Sequence, residues 1–166
     1  WCGLKVDEGP NNKGAYGPYR QSERGALYGL RIEELLKSEH AYYAFDTKEE
    51  LDSHRKNHEK KGKTFIYNAH NRLRLKNSLS MSKKEVDKLI ASGTECVIRF
   101  KTPEKTEVIC SDLLKGTVRV STETMDDKVL YKSDKMPDDY LFVNPKTDTK
   151  YDKLQTIPFL THISTF

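Results

Sequence analysis

Residues 96–132 read CVIRFKTPEKTEVICSDLLKGTVRVSTETMDDKVLYK. Runs rich in β-branched and aromatic residues recur in this stretch about every ten residues, and turn-forming residues separate them. Short, evenly spaced runs of this kind predict the strands of a small, mostly antiparallel sheet. We expect these strands at 96–101, 107–110, 117–121 and 128–132.

Upstream of that stretch, the apolar residues no longer alternate as in a strand but recur every three or four residues, as in a helix. Apolar residues between 24 and 37 recur on one face, which predicts an amphipathic helix that Ser22 caps. The aromatic run at 41–45 predicts a further strand. A helical first half and a stranded second half together favour an α+β arrangement.

Two pairs of residues have the spacing of a capping box, in which a hydroxyl residue precedes a glutamate by three positions. Thr47 with Glu50 predicts the start of a polar helix over about 48–60. Ser82 with Glu85 predicts the start of another helix. The string Ser-Met-Ser-Lys-Lys at 80–84 resembles part of an ATP-binding loop, but its position at this helix start favours a cap.

The composition excludes several classes of protein. Among the 166 residues, 33% are charged and 36% are hydrophobic, and the net charge is +4. No apolar stretch reaches the roughly 18 residues that a membrane span needs, so we expect no membrane association. Three cysteines without a C-x-x-C pair make a disulfide framework and a cysteine zinc site improbable, and indicate buried thiols in a reducing compartment.

The charge is concentrated in residues 55–84, which hold ten Lys or Arg and one acid and so carry +9. The rest of the chain therefore sums to −5. Tyr67 and several polar residues interleave with these bases. One interpretation is a solvated polar face. The other is a surface for RNA, where cations release counterions from phosphates and aromatic rings stack on bases.

Several motifs occur together in a specific order, namely GPYRQSER at 17–24, HAYYAFDT at 40–47, VIRFK at 97–101, DDKVL at 126–130 and KSD at 132–134. This set resembles the glutamyl-tRNA synthetases of the bacterial class I type, over roughly residues 1–137. The stretch KGKTFIYN at 61–68 resembles the form found in the Bacteroidetes group.

The resemblance implies an α/β fold, a partial Rossmann-like (HUP-type) catalytic domain that carries an inserted α+β connective-peptide domain. Residues 1–40 would end the first half of the catalytic domain, and 41–130 would form the insert over the tRNA acceptor end. Residues 131–166 would return to the catalytic domain and diverge from the family after 137. We therefore expect an internal piece of a longer enzyme.

The family activates glutamate with ATP and Mg²⁺ and attaches it to tRNA(Glu). Its two ATP signatures are absent from this sequence, so we assign no catalytic residue here and expect this piece alone to be inactive. The implied partners are the tRNA(Glu) acceptor end and the remainder of the synthetase, in a cytoplasmic monomer. The residues expected to bind tRNA are Arg20, Gln21, Ser22, Arg24, Lys60, Lys61, Lys63, Tyr67 and Arg72.

Structural alternatives exist for some of these positions. Ser22 and Glu23 could simply cap a helix. Arg99 could pair with an acid such as Asp127 instead of meeting RNA.

Some family members bind zinc in this insert through a Cys-x-Cys pair, a tyrosine and a later cysteine. The corresponding positions here are Ala44, Asp46, Tyr67 and Asn71, so we expect no zinc. His54 and His58 have a helical spacing that can hold a metal, but the sequence shows no third ligand.

A function from another class stays open, that of a non-catalytic RNA-binding or degenerate remnant of such an enzyme. Within the enzyme class, the sister glutaminyl-type enzyme and the short paralogue that glutamylates a modified base are alternatives. The extended basic insert favours the full glutamyl-type enzyme.

Overall fold

The computed structural model describes Gly3, residues 5–12 and residues 14–132. This part of the chain contains three α-helices, all in its first 91 residues, and five β-strands, four of which follow the last helix. In chain order they are α1 (Gly25–Lys37), β1 (Ala41–Ala44), α2 (Lys48–Glu59), α3 (Lys83–Ala91), β2 (Val97–Phe100), β3 (Glu107–Asp112), β4 (Gly116–Ser121) and β5 (Val129–Lys132). Short 3₁₀ turns occupy Gln21–Arg24, Arg72–Arg74 and Thr122–Thr124.

The larger sheet has the strand order β1-β2-β5, and both of its pairings are antiparallel. In β1 and β2, Ala41 lies opposite Phe100 and Ala44 lies opposite Val97. The register between β2 and β5 shifts after Ile98, so Leu130 has no partner directly opposite it. Such a bulge bends the strand locally, and here it accompanies the full burial of Leu130.

Strands β3 and β4 form a separate antiparallel hairpin, paired from Glu107–Ser121 to Asp112–Gly116. The Asp112 carboxylate accepts hydrogen bonds from the backbone of Leu114 (2.8 Å) and Lys115 (2.7 Å) and so fixes the turn. Gly116 follows with φ +72°, a conformation that favours glycine.

The two faces of the larger sheet pack against different parts of the chain, because side chains alternate along a strand. One core joins α1 to β1, β2 and β5 through Tyr28, Ile32, Leu35, Ala41, Ile98, Phe100 and Leu130. The other joins β1 to the segment before α3 through Tyr42, Ala44, Tyr67 and Leu75. The sheet therefore supports the 65–75 segment on the face opposite α1.

Both predicted capping boxes are confirmed. Thr47 accepts from the backbone of Glu50, Ser82 accepts from that of Glu85, and each glutamate binds back to the cap residue. The predicted cap at Ser22 is wrong, because Ser22 lies inside a 3₁₀ turn and α1 begins only at Gly25.

The expected strands are present, but not as one sheet. Two of the four runs pair with each other as a hairpin, and the other two join β1. The described residues combine helices with strands, consistent with an α/β catalytic-domain family, and every strand pairing among them is antiparallel.

The first core contains residues on both sides of the predicted domain boundary between 40 and 41. The division into domains stays a prediction. The expected return of the chain at 132–134 and the divergence after 137 lie outside the described residues, apart from Lys132.

Candidate nucleic-acid interface

A buried polar network centred on Asp127 fixes the segment that carries several predicted RNA contacts. Asp127 is fully buried. Its carboxylate accepts hydrogen bonds from the Tyr42 hydroxyl (2.6 Å) and the Thr102 backbone (3.1 Å), and lies 3.3 Å from Arg72 Nη1. Burial raises the pKa of Asp127, while the three donors act in the opposite direction.

Arg72 belongs to this network and not to the surface. Its side chain is only 2% exposed, its Nη2 donates to the Thr102 carbonyl (2.8 Å), and Glu104 lies 3.5 Å away. A guanidinium that is enclosed in this way and held by carboxylates is not available to a phosphate. We therefore correct the expectation of RNA contact at Arg72 and assign it to the stability of the fold.

Tyr67 is likewise interior, with 4% of its surface exposed. Its hydroxyl donates to Asp46 (2.8 Å) and accepts from Asn77 (3.1 Å), and the Arg99 guanidinium lies 4.0 Å from its ring centroid. Burial raises the pKa of Tyr67, so the phenol stays protonated. The Tyr67 ring is already covered by Arg99, so we do not expect it to stack on a base itself.

Pairing of Arg99 with an acid such as Asp127 is the structural alternative that the sequence offers. In the structure, Arg99 Nη1 donates instead to the backbone carbonyl of Asp127 (2.8 Å), and Arg72 is the cation beside the carboxylate. Arg99 is half-buried. The sequence thus indicated the acid correctly but not its cationic partner.

The lysines after α2 form the exposed part of the basic segment. Backbone hydrogen bonds to His58 and Glu59 close a turn over Lys61–Lys63 at the helix end. The side chains of Lys60, Lys61 and Lys63 are all exposed, and no ion pair is found for them among the described residues. We call these three residues the lysine turn. Cations suit the C-terminal end of a helix, where the carbonyl dipoles point outward.

His54 and His58 both pack against one aromatic side chain. Their rings contact Phe65, with centroid distances of 5.8 and 5.2 Å, and His58 Nδ1 lies 2.8 Å from the His54 carbonyl oxygen. The two histidines therefore anchor Phe65 against α2. This contact explains their spacing without a ligand.

The other predicted RNA contacts lie before α1. Arg20, Gln21 and Ser22 are exposed, and Gln21 and Ser22 lie in a 3₁₀ turn. Arg24 is half-buried, and its guanidinium lies 5.8 Å from the ring centroid of Tyr28. The first three are accessible to a partner, whereas part of the Arg24 side chain packs against α1.

The positions that correspond to the family's zinc ligands participate in hydrogen bonds of the fold. Asp46 accepts from Tyr67 and from the backbone of Lys76 (2.8 Å), and Asn71 donates to the carbonyl of Ile66 (2.8 Å). Among the described residues, no group of three or more His, Cys, Asp or Glu side chains could hold a metal ion.

The Ser-Met-Ser-Lys-Lys string at 80–84 ends at the start of α3. The Ser82 hydroxyl donates to Glu85 (2.6 Å) and accepts from its backbone (3.4 Å). The prediction of a helix cap at this string is confirmed.

Sequence reasoning missed the residues around a small cavity beside Arg99, chiefly Arg55, Phe65 and Asp126. Arg55 and Phe65 lie ten residues apart, whereas Asp126 follows Phe65 by 61 residues, and only tertiary packing brings it to them. The paired aspartates at 126 and 127 were the one available signal. No helix in the described part of the chain is long and apolar enough to cross a membrane.

Residues 1–152 match the family model described as tRNA synthetases class I (E and Q), catalytic domain. A glutamate–tRNA ligase of Christiangramia forsetii is 54% identical over 137 residues, which are 82% of this chain and 27% of that protein. The chain thus spans about a quarter of the length of this curated relative.

Solved structures give the same result. A glutamate tRNA ligase from Elizabethkingia meningosepticum, in complex with its amino acid, matches 84% of this chain and 28% of its own, with a TM-score of 0.82 and 46% identity. A glutamate-tRNA synthetase from Elizabethkingia anophelis matches 83% of this chain and 28% of its own, with a TM-score of 0.80 and 47% identity. The chain belongs to the family of class I tRNA synthetases for glutamate and glutamine, as part of their catalytic domain.

Proposed function

We propose that this chain is part of a glutamate–tRNA ligase and that it binds the acceptor end of tRNA(Glu). The similarity to enzymes named glutamate–tRNA ligase, at 54% identity over 82% of the chain, is the observation that carries the proposal. The family model covers both the glutamate and the glutamine enzymes, and the names of these relatives favour glutamate. ATP and Mg²⁺ would then serve the activation of glutamate in the whole enzyme.

The division of the chain into domains is part of this proposal. Residues 41–130 would be the inserted connective-peptide domain, residues 1–40 would precede it in the Rossmann-like catalytic domain, and 131–166 would follow it there. The enzyme would act as a cytoplasmic monomer. The antiparallel sheets of the described residues support an α+β insert.

The charge distribution supports RNA binding by the lysine turn. Residues 55–84 carry +9, and the side chains of the lysine turn are exposed at the end of α2 without a neighbouring acid in an ion pair within the described residues. Unpaired surface cations can neutralise phosphates at little cost to the fold. Arg20, Gln21, Ser22 and Arg24 would give a second contact or fix the insert on the catalytic domain.

The test is filter binding of a tRNA acceptor minihelix across a salt series. Binding that neutralises Z phosphates gives a slope of roughly −0.7Z to −0.9Z in a plot of log affinity against log salt. The triple variant of the lysine turn, with Lys60, Lys61 and Lys63 each changed to Ala, should bind more weakly and give a shallower slope.

The matched control is a triple Lys→Ala variant at Lys37, Lys88 and Lys115, which changes the net charge equally but leaves the basic segment intact. It should keep the wild-type slope. Equal slopes for both variants and the wild type would mean that the lysine turn is only a solvated face. The RNA role would then have to move to residues 20–24.

A further inference from the structure

A second cavity, of about 310 Å³, lies at the outer edge of β1, between the end of α1 and residues 78–79. Ligand sites in proteins begin at roughly 300 Å³, so this cavity has room for one or two residues of a peptide. Its lining includes Leu36, Glu39, Ala41, Tyr43, Leu79 and Lys101.

Part of the outer edge of β1 already pairs with an extended segment. This strand lies at one end of the larger sheet. The Tyr43 carbonyl accepts from the backbone of Ser78 (2.8 Å), and the Phe45 backbone donates to the Lys76 carbonyl (2.8 Å). The segment 76–78 therefore adds to the sheet beside residues 43–45. The edge thus accepts an extended backbone, and this pairing ends before Ala41.

The backbone of Ala41 points towards the cavity. Phe100, which lies opposite Ala41, donates its N–H to the Lys128 carbonyl (2.9 Å) on the far side of β2. In an antiparallel pair without mutual hydrogen bonds, both residues direct their N–H and C=O groups away from each other. Ala41 therefore presents one donor and one acceptor at the outer edge, and no partner for them is found in the described part of the chain. A peptide in extended conformation satisfies such a pair.

The cavity has a wall on each face of the sheet. Leu36 packs against the core shared with α1, and Leu79 packs against the core on the opposite face. Successive side chains of an added strand point to opposite faces, so one would contact Leu36 and the next would contact Leu79. Both walls therefore suit apolar groups of a single extended segment.

Lys101 sets the charge that this segment needs. The preceding Phe100 belongs to the core shared with α1, so alternation places Lys101 on the Leu79 face. Lys101 is half-buried, and no ion pair is found for it among the described residues. Glu39 is exposed at the end of α1. An acidic side chain therefore suits the Lys101 face of the cavity and not the α1 side.

We propose that the outer edge of β1 binds an extended peptide segment of a partner protein. An apolar residue of that segment pairs with Ala41, and an adjoining acidic residue contacts Lys101. A second copy of this chain does not fit, because the recess needs a projecting segment and the same edge of the copy is recessed too. This inference goes beyond the proposed function and involves no RNA.

The experiment is an NMR titration of the 166-residue chain with two peptides. The first is acetyl-Glu-Leu-Glu-amide, and the second carries a methyl group on the backbone nitrogen of its leucine. Both have the same charge and apolar side chain, so the ratio of their affinities reports backbone pairing. The methylated peptide should bind roughly 5- to 100-fold more weakly, because it leaves a buried acceptor unpaired. The first peptide should also slow hydrogen exchange of the Ala41 amide.

Lys101→Glu tests the charged part of the site. It should weaken binding of the first peptide about 2- to 30-fold, because an attraction becomes a repulsion. The matched control is Lys88→Glu, since Lys88 is exposed on α3 and is not among the lining residues. It changes the net charge equally and should keep the wild-type affinity.

Equal affinities of wild type for the two peptides, or no binding of either, would overturn the peptide site. Slow exchange of the Ala41 amide in the free chain would overturn it as well. If that protection increased with protein concentration, a second copy would cover the edge. If it did not depend on concentration, a segment of the same chain would do so.

Discussion

The lysine turn and Arg72 belong to the same basic segment of the sequence but lie in opposite environments. Lys60, Lys61 and Lys63 project from the end of α2 into solvent. Arg72 is enclosed beside the fully buried Asp127, on the inner side of the 65–75 segment. The same kind of charge therefore faces solvent in one region and lies in the interior beside a carboxylate in the other.

The difference shows that net charge in a window does not locate a binding surface. A buried guanidinium needs carboxylate and carbonyl partners, and those of Arg72 come from Thr102 and Asp127, about 30 and 55 residues further along the chain. The lysine turn depends only on the local helix end. Substitution of Arg72 should accordingly lower the free energy of unfolding, whereas substitutions in the lysine turn should change RNA binding.

The largest effect is expected at Arg72. Arg72→Ala leaves the Asp127 carboxylate buried without its cation, which typically destabilises a protein by about 3–5 kcal/mol. The free energy of unfolding from urea denaturation, followed by circular dichroism, measures this loss. The substitution should lower it by that amount or prevent folding.

Arg74→Ala is the matched control for this experiment. Arg74 lies in the same 3₁₀ turn but is exposed, so its loss should change the free energy of unfolding by no more than about 0.5 kcal/mol. The triple lysine-turn variant should be equally mild in stability while it alters RNA binding. Similar losses for Arg72→Ala and Arg74→Ala would contradict the assignment of Arg72 to the interior.

A smaller effect is expected from the hydroxyl of Tyr42. Tyr42→Phe removes the 2.6 Å hydrogen bond to Asp127, and a hydrogen bond to a charged group contributes about 1.5–3 kcal/mol. Tyr43→Phe, on the next residue of β1, is the control, because no hydrogen bond of the Tyr43 hydroxyl is found in the described part of the chain. If both variants unfolded at the same urea concentration, the Asp127 network would contribute little to stability.

The elements set by local chemistry could be predicted from the sequence. The capping boxes gave the starts of α2 and α3, and alternating residues gave four of the strands. The prediction that Ser22 caps α1 was wrong, because Ser22 lies in a 3₁₀ turn. A hydroxyl residue just before a series of apolar residues is compatible with such a turn as well as with the start of a helix.

Non-local features could not be predicted in the same way. The pairing of β1 with β2 joins residues 41–44 to 97–100, and no local pattern specifies that partner. The burial of Tyr67 and Arg72 has the same origin, since both pack against residues far along the chain. The cavity beside Arg99 also depends on three separate segments.

The smallest effect concerns pH and two carboxylates with opposite shifts. Hydrogen bonds from the Ser82 side chain and backbone lower the pKa of exposed Glu85, whereas burial raises that of Asp127. Stability from Glu85 is therefore present above the ordinary glutamate pKa of about 4.3 and is lost as the pH falls through the lowered folded-state value.

Glu85→Gln retains an amide at the N3 position of the capping box but does not titrate. Urea unfolding from pH 7 downward should show wild type losing its advantage over Glu85→Gln in that range. A difference that stays constant with pH would mean that the Glu85 carboxylate does not stabilise α3 through its charge.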